Sequence, residues 1–186
     1  MKLRYRFRCY PTDEQAQELA RVFGSVRYVY NWGLRLRSDA GHNGQKMGYP
    51  QSSAALTALK KTPECEWLNN VSSVPTQQAL RHLQTAFGSF FDRRGAYPTF
   101  KSKEGKQSAE YTSSAFKWDA DTRGLTLAKI GRLAVVWSRT FKSNPTTVTV
   151  STDKAGRYFV SLVLDEQIQP LPKTGERVGV DMCFCQ

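Results

Sequence analysis

The chain has 186 residues, with 27 Lys+Arg against 16 Asp+Glu, a formal net charge of +11, 40% hydrophobic and 12% aromatic residues. That apolar share supports a packed core and argues against wholesale disorder, and no run approaches the roughly 18 uninterrupted apolar residues of a membrane-spanning helix. The excess positive charge points to a polyanionic partner, either nucleic acid or an anionic membrane.

The N-terminus reads Met-Lys-Leu-Arg-Tyr-Arg-Phe-Arg and has no apolar core of a secretory leader. Cysteines stand at 9, 65, 183 and 185, with no C-x-x-C pair, and neither His42 nor His82 completes a zinc spacing. Reduced, structural cysteines in the cytoplasm are the expectation.

Residues 2–10 alternate strictly: Leu3, Tyr5, Phe7 and Cys9 on one face, Lys2, Arg4, Arg6 and Arg8 on the other. This predicts a half-buried strand whose exposed side carries four cations about 7 Å apart, a spacing that can follow a phosphate backbone. Tyr10-Pro11 turns the chain, and Thr12 with Gln15 reads as a capping box. A helix follows on Ala16, Leu19, Ala20 and Phe23, with an interruption expected at Gly24-Ser25 and a second helix from about Val26 to Ala40. A third is predicted over Tyr49 to Lys61, and Trp67, Leu68 and Val71 are expected to pack beneath the next connection. The fourth opens near Pro75, with Ala79, Leu80, Leu83, Ala86, Phe87, Phe90 and Phe91 as its apolar stripe and Gly95 just past its end.

Short alternating or β-branched runs then recur: Ala109–Trp118, Leu125–Ala128, Arg132–Trp137, Thr146–Ser151 and Tyr158–Leu164. The fold class expected is α+β, a small β-barrel formed by residues 1–10 and 96–170 with a helical bundle, residues 11–95, inserted into it. Residues 165–176 read as a Pro-rich linker, and Arg177-Val178-Gly179-Val180-Asp181-Met182 as the start of a buried strand ending in a carboxylate. Asp181 is the one candidate for metal-dependent nuclease chemistry, but two-metal hydrolysis needs several converging carboxylates. No Ser-His-Asp, Cys-His or phosphate-loop pattern accompanies it, so the residues alone describe a binding module. Basic residues interleaved with aromatics recur at Arg4–Arg8, Arg27/Tyr28, Arg93/Arg94/Tyr97 and Phe100/Lys101/Lys103/Lys106, which suits phosphate neutralisation with base stacking.

The segments YRFRCYPTDEQAQELARVFGSVRYVYNWGLRLR, YPQSSAALTALKKTPECEWLNNVSSVPTQQALRHLQTAFGSFFDRR, YPTFKSK and the final VGVDM together resemble TnpB, the RNA-guided DNA endonuclease family of insertion sequences, related to type V CRISPR effectors. The resemblance covers essentially the whole chain. It implies a wedge-type β-barrel with an inserted helical recognition domain, and residues 171–186 as a linker and the start of a RuvC-like nuclease domain. It further implies a guide RNA from the transposon end and a double-stranded DNA target beside a short motif, with base pairing supplying sequence specificity.

By the same resemblance the motif readers are Tyr49, Ser53, Ser73, Val74, Gln77, Thr112 and Ser113, and the guide-RNA contacts are Arg4, Arg6, Arg8, Arg27, Tyr28, Asn31, Lys101, Lys103 and Lys106. Where this chain has Ser73 and Val74 the family often has a Lys and an aromatic, which bears on the identity of the motif. Asp181 matches the first RuvC carboxylate, yet Cys183 stands where the family has a Gly. The remaining catalytic carboxylates and the zinc cysteines are absent from these 186 residues. The expectation is therefore a truncated form that does not cleave DNA by itself. It has no cofactor of its own, since Mg²⁺ and structural Zn²⁺ would belong to the missing domain. Cytoplasmic location without a membrane partner is expected. The alternatives are one half of a split nuclease, completed by a separate nuclease half, or a general basic RNA-binding protein.

Overall fold

The computed structural model describes residues 1–166. Its elements in chain order are β1 (Lys2–Cys9), α1 (Asp13–His42), α2 (Tyr49–Leu59), α3 (Ser73–Phe91), β2 (Gln107–Thr112), β3 (Phe116–Asp119), β4 (Gly124–Leu127), β5 (Gly131–Leu133), β6 (Val135–Val136), β7 (Pro145–Thr152) and β8 (Tyr158–Asp165). A 3₁₀ turn at Pro63–Asn69 links α2 to α3, and another at Ser113–Ala115 links β2 to β3. The fold is α+β with antiparallel sheets.

A five-stranded sheet has the order β2-β7-β8-β1-β6, and a three-stranded sheet the order β3-β4-β5. β1 pairs with β8 over its whole length, from Lys2↔Asp165 to Cys9↔Tyr158, and with β6 at Arg8↔Val136 and Cys9↔Val135. The alternation of β1 holds: Phe7 and Cys9 are buried while Lys2, Arg4 and Arg6 are exposed. Burial pushes the Cys9 thiol up to about 11, so it stays a neutral packing group. β7 and β8 form a hairpin closed by Thr152↔Tyr158. Asp153 accepts from the Ala155 and Arg157 amides there, and Gly156 takes a φ of 72° that a side chain would resist.

The expected small β-barrel does not close among the described residues. β2 and β6 end the larger sheet without a partner across it among the described residues. Two predicted strands are also divided. Ala109–Trp118 breaks at the 3₁₀ turn, and Arg132–Trp137 breaks at Ala134, sending β5 to one sheet and β6 to the other. The two sheets meet through aromatic side chains instead. Phe7 packs edge-on against Trp137 with ring centroids 4.9 Å apart, and Trp137 against Trp118 at 5.2 Å. The Trp137 indole N–H donates to the Arg123 carbonyl at 2.9 Å.

The helix break at Gly24-Ser25 is likewise overturned: α1 runs uninterrupted for 30 residues. The Thr12/Gln15 capping box starts it. The Ser25 hydroxyl donates to the Arg21 carbonyl one turn back, so this polar residue is satisfied within the helix. The apolar stripe Leu19, Val22, Phe23, Val26, Val29, Tyr30, Leu34 keeps its phase straight through the pair. α3 crosses this stripe closely at Gly33, where a Cβ would lie 2.7 Å from Leu80 Cδ2. Leu68 and Val71 are buried as expected, whereas Trp67 is 41% and Phe91 72% exposed, which corrects both assignments to packing positions. Phe91 is the last residue of α3, so its side chain has passed the end of the surface that covers Leu83 and Phe87.

Tyr111 is fully buried and its hydroxyl finds no hydrogen-bond partner among the described residues. A buried polar group left unpaired costs about 1–3 kcal/mol. Tyr111→Phe is therefore expected to raise the unfolding free energy by about 1 kcal/mol, read by urea denaturation; a loss of stability would show that the hydroxyl is paired in solution.

Candidate nucleic-acid interface

Strand register settles which predicted residues share a surface. Arg4, Arg6 and Arg8 face outward opposite Val163, Ser161 and Phe159. Continuing across the sheet, Val163 pairs with Thr147 and Thr147 with Thr112. Thr112 and Arg4 thus lie in one row on one face, three strand spacings or about 14 Å apart. The guanidinium of Arg6 lies 3.7 Å from the ring centroid of Phe159, and that of Arg8 lies 5.1 Å from the same ring. Arg8 also donates to the Tyr158 carbonyl at 3.4 Å. Stacking holds these two guanidinium planes against the sheet while leaving their donors available. None of the three arginines has a carboxylate partner among the described residues.

Glu110, two residues before Thr112 on this face, receives His82 of α3 at 3.2 Å. The hydrogen bond from His82 holds the Glu110 carboxyl below its ordinary value of 4.5, with the charges of His82 and Arg4 adding to the effect against the opposing cost of burial. A depressed folded value means stabilisation that is present above the ordinary glutamate range and lost as pH falls through the folded value. The stability difference between the native chain and Glu110→Gln is thus expected to shrink as the pH is lowered below about 4. Urea unfolding across that range measures it, and a pH-independent difference would contradict the pairing.

The motif candidates on the helices form a second surface. α2 runs antiparallel to α3: Tyr49 at its start accepts from Arg81 Nε at 3.2 Å, and Lys60 at its end reaches Thr76 at 3.3 Å. Ser53 lies one turn along α2 from Tyr49. Ser73 and Gln77 are exposed at the start of α3, in line with Arg81, while Val74 is half-buried against the core. Ser113 is exposed immediately after β2, and Thr112 contacts the Ser114 hydroxyl. The Glu110–His82 contact joins this helical surface to the sheet face.

The remaining candidates gather on α1. Asn31 clasps the backbone of Lys101, donating to its carbonyl at 2.9 Å and accepting from its amide at 2.8 Å. The Lys101 ammonium lies 4.1 Å from the Tyr30 ring centroid, and desolvation there lowers its pKa. Arg27 donates to Gln107 at 3.0 Å, and the Gln107 amide in turn gathers the carbonyls of Ser102, Lys103 and Gly105. That network shapes the loop carrying the exposed Lys103 and Lys106. Beside it an open groove of about 870 Å³ is walled by Tyr28, Trp32, Trp67 and Phe100, with Arg21, Arg27 and Arg35 among its lining.

Trp32, Trp67, Arg21 and Phe159 were not marked as site residues by sequence, whereas Phe100 was marked only with the lysines that follow it. Trp67 read as core, and the groove is assembled from segments about 30 to 40 residues apart, which periodicity cannot connect. Among the described residues no three His, Cys, Asp or Glu side chains converge to hold a metal ion, and no helix is long and apolar enough to cross a membrane. Of the expected linker, Asp165 ends β8; residues 167–176, the expected strand after them and Asp181 lie outside the described residues.

The α+β fold thus presents an open sheet face of arginines and, on α1, an aromatic groove rimmed with guanidinium groups, two features whose chemistry suits a polyanion with flat bases. Comparison with known proteins sharpens that reading. A family model described as a helix-turn-helix domain, of the IS605 OrfB type, matches residues 1–46, which here form β1 and the single helix α1. The chain is 54% identical over 186 residues to a protein of Streptomyces pristinaespiralis named "Putative RNA-guided DNA endonuclease", covering 97% of this chain and 46% of that one. It is 29% identical over 179 residues to the InsQ protein of Escherichia coli K12, which bears the same description, covering 95% of this chain and 44% of InsQ. A third relative, the virulence protein VsdF of Salmonella dublin, is 33% identical over 107 residues, 52% of this chain and 90% of VsdF. Over nearly its whole length the chain is similar to these TnpB-type RNA-guided DNA endonucleases, and it spans a little under half the length of the two relatives with endonuclease names.

Proposed function

We propose that these 186 residues are the guide-RNA- and target-DNA-binding part of a TnpB-type RNA-guided DNA endonuclease. In this reading β1 and the strands from β2 onward act as the wedge, and α1–α3 as the recognition domain. The C-terminal stretch around Asp181 would lead into a RuvC-like fold. Guide RNA lies along Arg4, Arg6 and Arg8 and the α1 surface of Arg27, Tyr28, Asn31, Lys101, Lys103 and Lys106. The target-adjacent motif is read from Tyr49, Ser53, Ser73, Val74, Gln77, Thr112 and Ser113; all but Val74, which offers only an apolar contact, carry a hydroxyl or amide that can exchange hydrogen bonds with base edges.

The observation that carries this reading is the register of the five-stranded sheet. It sets a row of three arginines and the motif candidate Thr112 on one open face. A guide-bearing surface and a motif-reading surface must adjoin for pairing to begin next to the motif. Cleavage is not expected from these residues alone, because Asp181 is one carboxylate where two-metal hydrolysis needs several. A bacterial or archaeal cytoplasmic setting follows from the partners.

The test is to assay the purified 186-residue chain with matching guide RNA, target duplex and Mg²⁺. Retained guide RNA without strand cleavage is expected. Robust metal-dependent cleavage would refute the assignment of binding without catalysis, and failure to hold guide RNA would refute the binding itself.

A further inference from the structure

We infer that the groove between α1, the 3₁₀ turn after α2 and the segment at Phe100 is a receptor for an unstacked base of single-stranded RNA; this rests on the RNA-binding function proposed above. Its volume of about 870 Å³ lies within the range of ligand clefts, about 300–1,000 Å³. The aromatic walls are preset. Tyr28 and Trp67 meet edge to face with centroids 5.2 Å apart. The Tyr28 hydroxyl contacts Cys65 Sγ at 3.2 Å, and the Trp67 indole N–H donates to the Glu64 carbonyl at 3.0 Å. Both rings are therefore anchored by their polar ends and still present open faces, being 38% and 41% exposed.

Charge selects the occupant. Three arginines and no carboxylate line the groove, so an apolar body entering it is favoured when it carries negative charge at the rim. A nucleotide has that combination: a flat base for the rings and a phosphate for the guanidinium groups. A duplex does not, because its bases are stacked on one another and cannot reach an aromatic wall.

Gly24 supplies the means to test this. It lines the groove, and a Cβ built there meets nothing within 4 Å. Leucine at this position is expected to fill part of the groove, its Cβ clear of the protein, while improving helix propensity within α1. The 186-residue chain, Gly24→Leu and Phe100→Ala would be titrated with a short single-stranded RNA carrying a fluorescent purine analogue. The native chain is expected to quench the analogue by stacking. Each variant is expected to bind about tenfold more weakly and to lose the quench, with the thermal midpoint of Gly24→Leu unchanged or raised. If the native chain binds the RNA but both variants match it in affinity and quench, the groove is not the receptor, though the proposed function stands. Equal displacement of the quenched RNA by duplex DNA would also overturn the inference. A native chain that binds no RNA would overturn both.

Discussion

Phe7→Ala is expected to lower the unfolding free energy by about 3–5 kcal/mol, the ordinary cost of truncating a fully packed aromatic. Phe7 is 2% exposed and sits opposite Val160 in the β1–β8 ladder. Its ring meets Trp137 at 4.9 Å, Phe141 at 6.1 Å and Tyr5 at 6.4 Å. Removing it opens a cavity where the two sheets join and withdraws aromatic contacts worth more than their area alone. Urea unfolding followed by tryptophan fluorescence measures the change, since Trp137 is a direct neighbour. A loss below about 1 kcal/mol would show that the N-terminal strand does not pack into this core. The arginine face would then lose its platform.

Arg4, Arg6 and Arg8 replaced together by Ala are expected to weaken single-stranded RNA binding by about a hundredfold near 0.1 M salt. Each phosphate contact on a single strand contributes about 0.7 to the slope of log affinity against log salt, so three contacts contribute about two. The triple variant should show a slope shallower by that amount, with its curve meeting that of the native chain near 1 M salt. The side chains are exposed or half-buried, and their aliphatic stems cover little of the core, so the fold is expected to persist. Affinity measured at several salt concentrations separates a charge effect from a packing effect. An unchanged slope would mean that the row does not touch phosphate.

The period-two alternation of residues 2–10 was legible because one face of β1 is buried and the other is open, so every second position is constrained. The Thr12/Gln15 box was legible because its hydrogen bonds are local. The helix break at Gly24-Ser25 was misread from residue type. The spacing of Leu19, Val22, Phe23, Val26, Val29 and Tyr30 runs through it in phase, and Ser25 is satisfied one turn back.

The barrel expectation treated strand content as closure, but among the described residues the larger sheet ends at β2 and β6, and Ala134 divides one predicted strand between two sheets. The site was half visible. Arginines on a strand can be placed on a face from sequence, and Arg27 and Asn31 can be placed on a helix. What sequence could not supply is that Phe159 lies under Arg6, that His82 reaches Glu110, and that Trp67 and Phe100 face the same groove. Those are contacts between segments whose neighbours are fixed only by the tertiary fold.

The most direct measurement of the central claim is sequencing of the RNA that co-purifies with the 186-residue chain, expressed beside the DNA that flanks its own coding region. Strong enrichment of a single RNA from the end of the insertion element is expected. Recovery of cellular RNAs in proportion to their abundance would contradict the account and leave only a general basic RNA-binding protein.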